Sequence, residues 1–438
     1  MSDDGSTIGG GGVMVGPRLS VMMFLQFFIW GAWYVTVGPY MESVGMGRGV
    51  ALAYSVGPIA AIISPFFLGM VADRFFATER VLGVMHVLGG LALVAAPLAA
   101  RPIEDGQSAL GSPFLWVLLV HMLFYMPTLG LTNTLAFHNM TNQEKQFPLI
   151  RVFGTIGWIV ANLVVSAAFK ADTSAVQFWI AGGSAVLLGV YSFTLPHTPA
   201  PARGRAPSVR DVLGLDSLVL LRRRSFAVFM VSSFLICIPL AAYYAFAGIY
   251  AGSVGFERIA ATMSLGQMSE IIFMLVMPLL FVRLGVKWML LVGMLAWVTR
   301  YALFAAAASE QVRALVLGGI VLHGICYDFF FVTGQIYVDK VADVKIRGQA
   351  QGFLVLVTQG LGMLIGAQVI GLIVARFTAE DGSRDWQSIW LVPCVTAGVI
   401  MTGFLALFRD DTKRTMPGEV LEELASGDHP VPEAGPIE

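Results

Sequence analysis

The chain has 438 residues, 57% of them hydrophobic and only 13% charged, with a mean hydropathy of +0.76 and a formal net charge of -1. A soluble domain is about one quarter charged, so this composition excludes a water-soluble enzyme, a nucleic-acid binder and a disordered chain. It also excludes an outer-membrane barrel, whose strands alternate polar and apolar residues. What remains is an all-α membrane protein with room for roughly a dozen spans of about 20 residues each.

In chain order, the polar, glycine-rich start (Met1 to Gly12) has no basic n-region and no cleavage site, so the first apolar run is read as a retained helix. Residues 1–18 are expected to be a disordered cytoplasmic terminus. Apolar runs then predict spans at 19–41, 50–72, 81–100, 113–138, 149–169 and 176–195. A second set follows at 225–250, 259–282, 286–307, 312–338, 347–376 and 387–408. Between the sets, residues 196–224 hold four prolines and six arginines, the composition of a cytoplasmic linker between an amino-terminal bundle (19–195) and a carboxy-terminal one (225–408). The segment from 409 to 438 reads as a disordered cytoplasmic tail.

With both termini in the cytoplasm, 19 of the 27 lysines and arginines fall on that side and 8 on or toward the other, as the positive-inside rule requires. Cys237, Cys326 and Cys394 lie in apolar runs without metal-ligand spacing and read as core residues; no metal or cofactor site is predicted. The two six-helix sets and basic central loop resemble the plan of the major facilitator superfamily, in which two pseudo-symmetric bundles rock about a midplane site. The run Gly69-Met70-Val71-Ala72-Asp73-Arg74 resembles that superfamily's loop between helices two and three. On that resemblance Asp73 and Arg74 are expected to act in gating.

Ionisable groups within spans are costly and normally face a cavity. Glu270 sits near the centre of the eighth span and Asp328 near the centre of the tenth. Gln267 and Glu270 share one helix face, and His323 and Tyr327 share another, with Asp328 about 100° beyond Tyr327. Arg151, Thr155 and Trp158 fall at i, i+4 and i+7 of the fifth span, and Gln26, Trp30 and Trp33 have the same spacing on the first. Such stripes suit a flat, hydrogen-bonding solute, stacked on aromatic faces and read at its edges. Trp30 and Trp33 read equally as packing. Tyr243 and Tyr244 are wall residues or packing. Arg300, in the outer part of its span, is expected to snorkel to the surface. His323 and Asp328 satisfy an H-x4-D string, but on a continuous helix they point about 140° apart and cannot form a catalytic pair. No catalytic residue is assigned, and the chain is not read as an enzyme.

Several blocks are more specific. Phe24-Leu25-Gln26-Phe27-Phe28-Ile29-Trp30-Gly31-Ala32-Trp33 resembles the first helix of the bacterial nucleoside:proton symporter family. Tyr125 to Asn133 and Phe147 to Gly157 are similar to its fourth and fifth helices. Gln267 to Glu270, Asp328-Phe329-Phe330, Gln349-Ala350-Gln351-Gly352 and Asp385-Trp386-Gln387 match later blocks, so the resemblance runs from about residue 18 to 410.

The resemblance implies a proton-driven nucleoside importer of the bacterial inner membrane, without a cofactor other than the coupling proton. Its partners are then the nucleoside, the bilayer and no nucleic acid, with the chain acting as a monomer. It also implies that Arg151, Thr155, Gln267, Glu270, His323, Tyr327 and Asp328 stand at functional positions. Family members present amides from helix seven where this chain has Ala241 and Tyr244, an aromatic where His323 stands, and Phe where Trp158 and Tyr327 stand. A proton-coupling set of Asp328, Glu270 and Arg151 is expected, with Asp328 paired to Arg151. The substrate set is Gln267, Glu270, Thr155, Trp158, His323, Tyr327, Trp30, Gln26 and Tyr244. A carrier of another polar aromatic or sugar-like solute, or a non-transporting receptor on the same fold, stays open at this point.

Overall fold

The computed structural model describes residues 12–67, 76–104, 106–141, 143–200, 215–343 and 346–412. Asp73 and Arg74, residues 201–214 of the linker and nearly all of the tail therefore lie outside the described residues. The described segments of regular structure are helical apart from one isolated bridge between Thr378 and Arg384. An apolar medium dictates this, because a helix satisfies its own backbone polar groups.

We number the spans α1 (Val15–Ser43), α2 (Gly47–Phe66), α3 (Thr78–Ala99), α4 (Pro113–His138), α5 (Gln146–Ala168), α6 (Val176–Ser192) and α7 (Arg224–Ser253). The continuous run Ile259–Glu310 is two spans joined at Gly285, whose φ of 70° and ψ of 174° break the helix where only glycine is unstrained. These are α8 (259–284) and α9 (286–310). Then come α10 (Arg313–Val341), α11 (Arg347–Arg376) and α12 (Trp386–Leu407). The helix leading into α1 starts at Gly12, ahead of the expected limit at residue 19. Asp385 caps α12 by accepting the Ser388 N–H at 3.1 Å, and hydrogen bonds from Ser388 hold its carboxyl below the usual range.

Two six-helix bundles result, with α1 against α5 and α6, and α3 against α4 and α6, in the first. In the second, α7 packs on α11 and α12, α8 on α10, and α9 on α12. Helix association in lipid relies on close van der Waals contact at small residues. At α1 and α5, a Cβ on Gly31 would come 2.9 Å from the Trp158 carbonyl oxygen, and one on Gly157 would strike the Phe24 backbone. At α8 and α10, a Cβ on Gly324 would lie 2.6 Å from the Glu270 nitrogen. Close approach at glycine therefore holds the helices that carry the candidate residues, as it also holds α3 to α6, where a Cβ on Gly182 would lie 2.5 Å from Val94.

The bundles meet along α5 and α8, α1 and α7, and α2 and α11. At the end opposite the chain termini, polar contacts join them. Arg384 donates to Glu42 at 2.6 Å, Gln368 to Ser55 at 2.6 Å, and the Ala260 N–H to Asp172 at 2.8 Å. Asp172 sits in the loop after α5 and also accepts from Ser166 at 2.8 Å. Burial pushes its carboxyl upward, and those hydrogen bonds oppose the shift. Close approach of Gly248 to the Val35 carbonyl oxygen, 3.1 Å from an added Cβ, closes the same end.

Candidate functional site

A cavity of about 170 Å³ lies between the bundles, lined by residues from six helices. α1 gives Phe27, Trp30 and Tyr34, and α5 gives Arg151, Thr155 and Trp158. α7 gives Tyr244, α8 gives Gln267 and Glu270, α10 gives His323 and Tyr327, and α11 gives Gln359 and Met363.

One side is aromatic. The Trp30 and Trp158 rings meet edge-on at 5.6 Å, Trp30 meets Tyr34 at 5.5 Å, and Tyr34 meets Tyr244 across the bundle interface at 5.9 Å. Edge-to-face contacts of this kind fix ring orientation and leave other faces for a stacked solute. The indole nitrogens of Trp30 and Trp158 are buried without a protein partner.

The other side is polar. Gln267 and Glu270 lie along α8 as their spacing requires, and the Gln267 Oε1 is buried with no protein partner. The His323 Nδ1 is in the same condition. Arg151 places its guanidinium 4.1 Å over the Phe27 ring, and Gly154 makes room for both, since a Cβ there would come within 2.6 Å of Arg151. Its electrostatic neighbours are Tyr327, Glu270 and Tyr125. The cavity thus faces a solute with aromatic rings, amide and hydroxyl groups, an imidazole, a carboxyl and a cation.

Three expectations differ from this geometry, those for Gln26, Asp328 and Arg300. Gln26 does not line the cavity: it is fully buried, donates to Thr128 at 2.8 Å and meets the His86 ring at 2.7 Å. One helix face is wide enough to send Trp30 into the cavity and Gln26 into the bundle. Trp33, for which packing was one of the two open readings, is buried against His121 and Phe178. Asp328 is fully buried, lies outside the cavity lining and has no protein partner on either carboxylate oxygen. It opens a π-helical turn, Asp328–Val332, so the regular 100° step no longer applies beyond Tyr327. No ion pair among the described residues joins it to Arg151, whose carboxylate neighbour is Glu270. Arg300 does not snorkel; it has no exposed surface, and its Nε donates to the Gly319 carbonyl at 3.0 Å.

Four lining residues were not singled out in the sequence: Phe27, Tyr34, Gln359 and Met363. Three look like ordinary core side chains there. Gln359 carries a usable signal, an amide inside an apolar run, and lies in a second π-helical turn, Leu356–Gly362. Such turns break regular helix pairing and are frequent at functional sites.

Comparison with known proteins gives a consistent picture. Residues 13–413 match the sequence model of the nucleoside H+ symporter family. The putative nucleoside transporter YegT of Escherichia coli K12 is 39% identical over 408 residues, covering 90% of this chain and 93% of that protein. The nucleoside permease NupG of the same organism is 31% identical, covering 90% of this chain and 95% of that protein. The crystal structure of nucleoside transporter NupG superposes with a TM-score of 0.78 at 30% identity, over 91% of this chain and 100% of that one. Peptide transporters of the POT family are 15% identical with TM-scores near 0.66 and share the fold alone. The chain is a multi-pass membrane transporter, not an enzyme, and belongs to the nucleoside H+ symporter family.

Proposed function

We propose that the cavity between the bundles is the nucleoside site of a proton-coupled importer in the bacterial inner membrane. The observation that carries this reading is the pairing of an aromatic wall with a polar one in a single cavity that both bundles build. The base stacks among Trp30, Trp158 and Tyr244. Gln267, Thr155, His323, Tyr327 and Gln359 supply hydrogen bonds to the base edge and the ribose. Both bundles then hold the solute, so their relative rocking exposes it to each side in turn.

Glu270 and Asp328 are the proton-coupling acids in this reading. Glu270 touches the cavity beside Arg151, and Asp328 lies behind it on α10, so Glu270 senses solute and proton together. The Lys and Arg distribution supports cytoplasmic termini. The end tied by Glu42–Arg384 and Asp172–Ala260 is then periplasmic, and the two bundles are held together there. A monomer suffices, because one chain supplies every wall of the cavity.

The test is accumulation of labelled uridine in proteoliposomes under an imposed pH gradient, with competition by nucleosides, free bases and sugars. Gradient-driven accumulation blocked by nucleosides supports the proposal. Accumulation blocked by sugars but not by nucleosides assigns the cavity to another solute and overturns it.

A further inference from the structure

Arg300 of α9 is fully buried, and its electrostatic neighbours include Cys326, Tyr243, Tyr301, Tyr244 and His323, with no carboxylate among them. Its Nε is satisfied by the Gly319 carbonyl, while Nη1 and Nη2 have no protein partner. A cation at this depth is expensive unless it snorkels or serves a site. Its main side-chain contact is the face of Tyr243, 4.1 Å from the guanidinium carbon to the ring centroid, and a desolvated cation–π contact is among the stronger of its kind.

Tyr243 connects this cation to the cavity. Its ring lies nearly parallel to the His323 imidazole, 5.2 Å between centroids at 17°. The next residue, Tyr244, meets His323 edge-on at 6.3 Å and 86° and itself lines the cavity. From α8, Gly266 lets the backbone approach so closely that an added Cβ would sit 2.9 Å from the His323 Cβ. The imidazole is therefore held on several sides, and its Nδ1 keeps no protein partner.

We propose that Arg300 is a positioning residue for solute recognition: it fixes the Tyr243 ring, which in turn holds the His323 imidazole in the orientation that meets the base. This inference rests on the reading of the cavity as the nucleoside site. Arg300 lies outside the cavity lining; it acts on His323 through the Tyr243 ring and through its own nearby charge.

The test is a double-mutant cycle on the purified full chain, using whichever of labelled uridine, adenosine and xanthosine binds most tightly. Arg300→Met is expected to weaken binding about tenfold in the parent but less than about twofold in a His323→Phe background. Arg300→Lys, which keeps a cation over the ring, is expected to retain most of the affinity. In transport, the KM for the nucleoside should rise while the maximal rate is kept. Equal losses in both backgrounds, or no loss in either, would overturn the inference. Should Arg300→Met not fold, Tyr243→Leu is read in the same way, because it removes the intervening ring and leaves the cation. Absence of saturable nucleoside binding by the unmodified chain overturns the cavity reading and this inference with it. Binding with additive losses overturns the inference alone.

Discussion

Gln26 in the first bundle and Asp328 in the second are both fully buried polar residues in apolar spans, and the two are treated in opposite ways. Around Gln26, the side chain meets Thr128 and His86, its carbonyl accepts the Tyr125 hydroxyl at 2.6 Å, and Thr128 donates to the Tyr125 carbonyl at 2.5 Å. That cluster is closed on itself, and it stiffens the wall carrying Trp30. In the second bundle, Gln267 and His323 at the shared cavity, and Asp328, Arg300 and Tyr243 outside its lining, all keep buried polar atoms without a protein partner. Burying a polar group without a hydrogen bond costs free energy. The unpartnered atoms that face the cavity, on Gln267, His323, Trp30 and Trp158, suit a solute that arrives there. Polarity and depth mark both clusters; hydrogen-bond satisfaction separates them.

Substitutions can break or sharpen this contrast. The largest effect is expected for Glu270→Ala, which removes the cavity carboxylate. Nucleoside affinity should fall by about 2 to 3 kcal/mol, on the order of a hundredfold, by isothermal titration. Trp158→Ala should cost about tenfold in affinity with the fold intact, since it removes one face of the aromatic wall. Gln26→Ala should act on the other side of the contrast. It leaves His86 and Thr128 without their partner, lowering stability by about 1 to 3 kcal/mol and the Tm with it, while the nucleoside Kd stays within about twofold. A folded Gln26→Ala protein that had lost its affinity would erase the distinction between the clusters. The smallest effect belongs to Glu42→Gln, whose ion pair with Arg384 is partly exposed and worth less than about 1 kcal/mol. It should modestly increase labelling of a Thr155→Cys site by an impermeant thiol reagent from the end where Glu42 lies.

The fold was largely legible because lipid leaves few choices: apolar runs separated by charges marked the spans, and the expected limits at 282 and 286 bracket Gly285, where the continuous helix breaks. The lining was legible where helical spacing held. Gln267 with Glu270, His323 with Tyr327, and Arg151 with Thr155 and Trp158 all reach one cavity. It failed where spacing was the wrong guide. The π-helical turn at Asp328 alters the angular step along α10. Gln26 shares a face with Trp30 but finds partners inside its own bundle. Snorkelling was the reasonable expectation for a long cationic side chain, but the face of Tyr243 and the Gly319 carbonyl hold Arg300 inside instead. Phe27, Tyr34 and Met363 could not be told from core packing, because an apolar cavity wall and an apolar interior use the same residues.

Whether the acids of the second bundle couple nucleoside movement to the proton is decided by Asp328→Asn and Glu270→Gln in proteoliposomes. Gradient-driven nucleoside accumulation and nucleoside exchange without a gradient would be measured side by side. At least one variant should lose accumulation while retaining exchange. Accumulation at the unmodified level in both variants would contradict it.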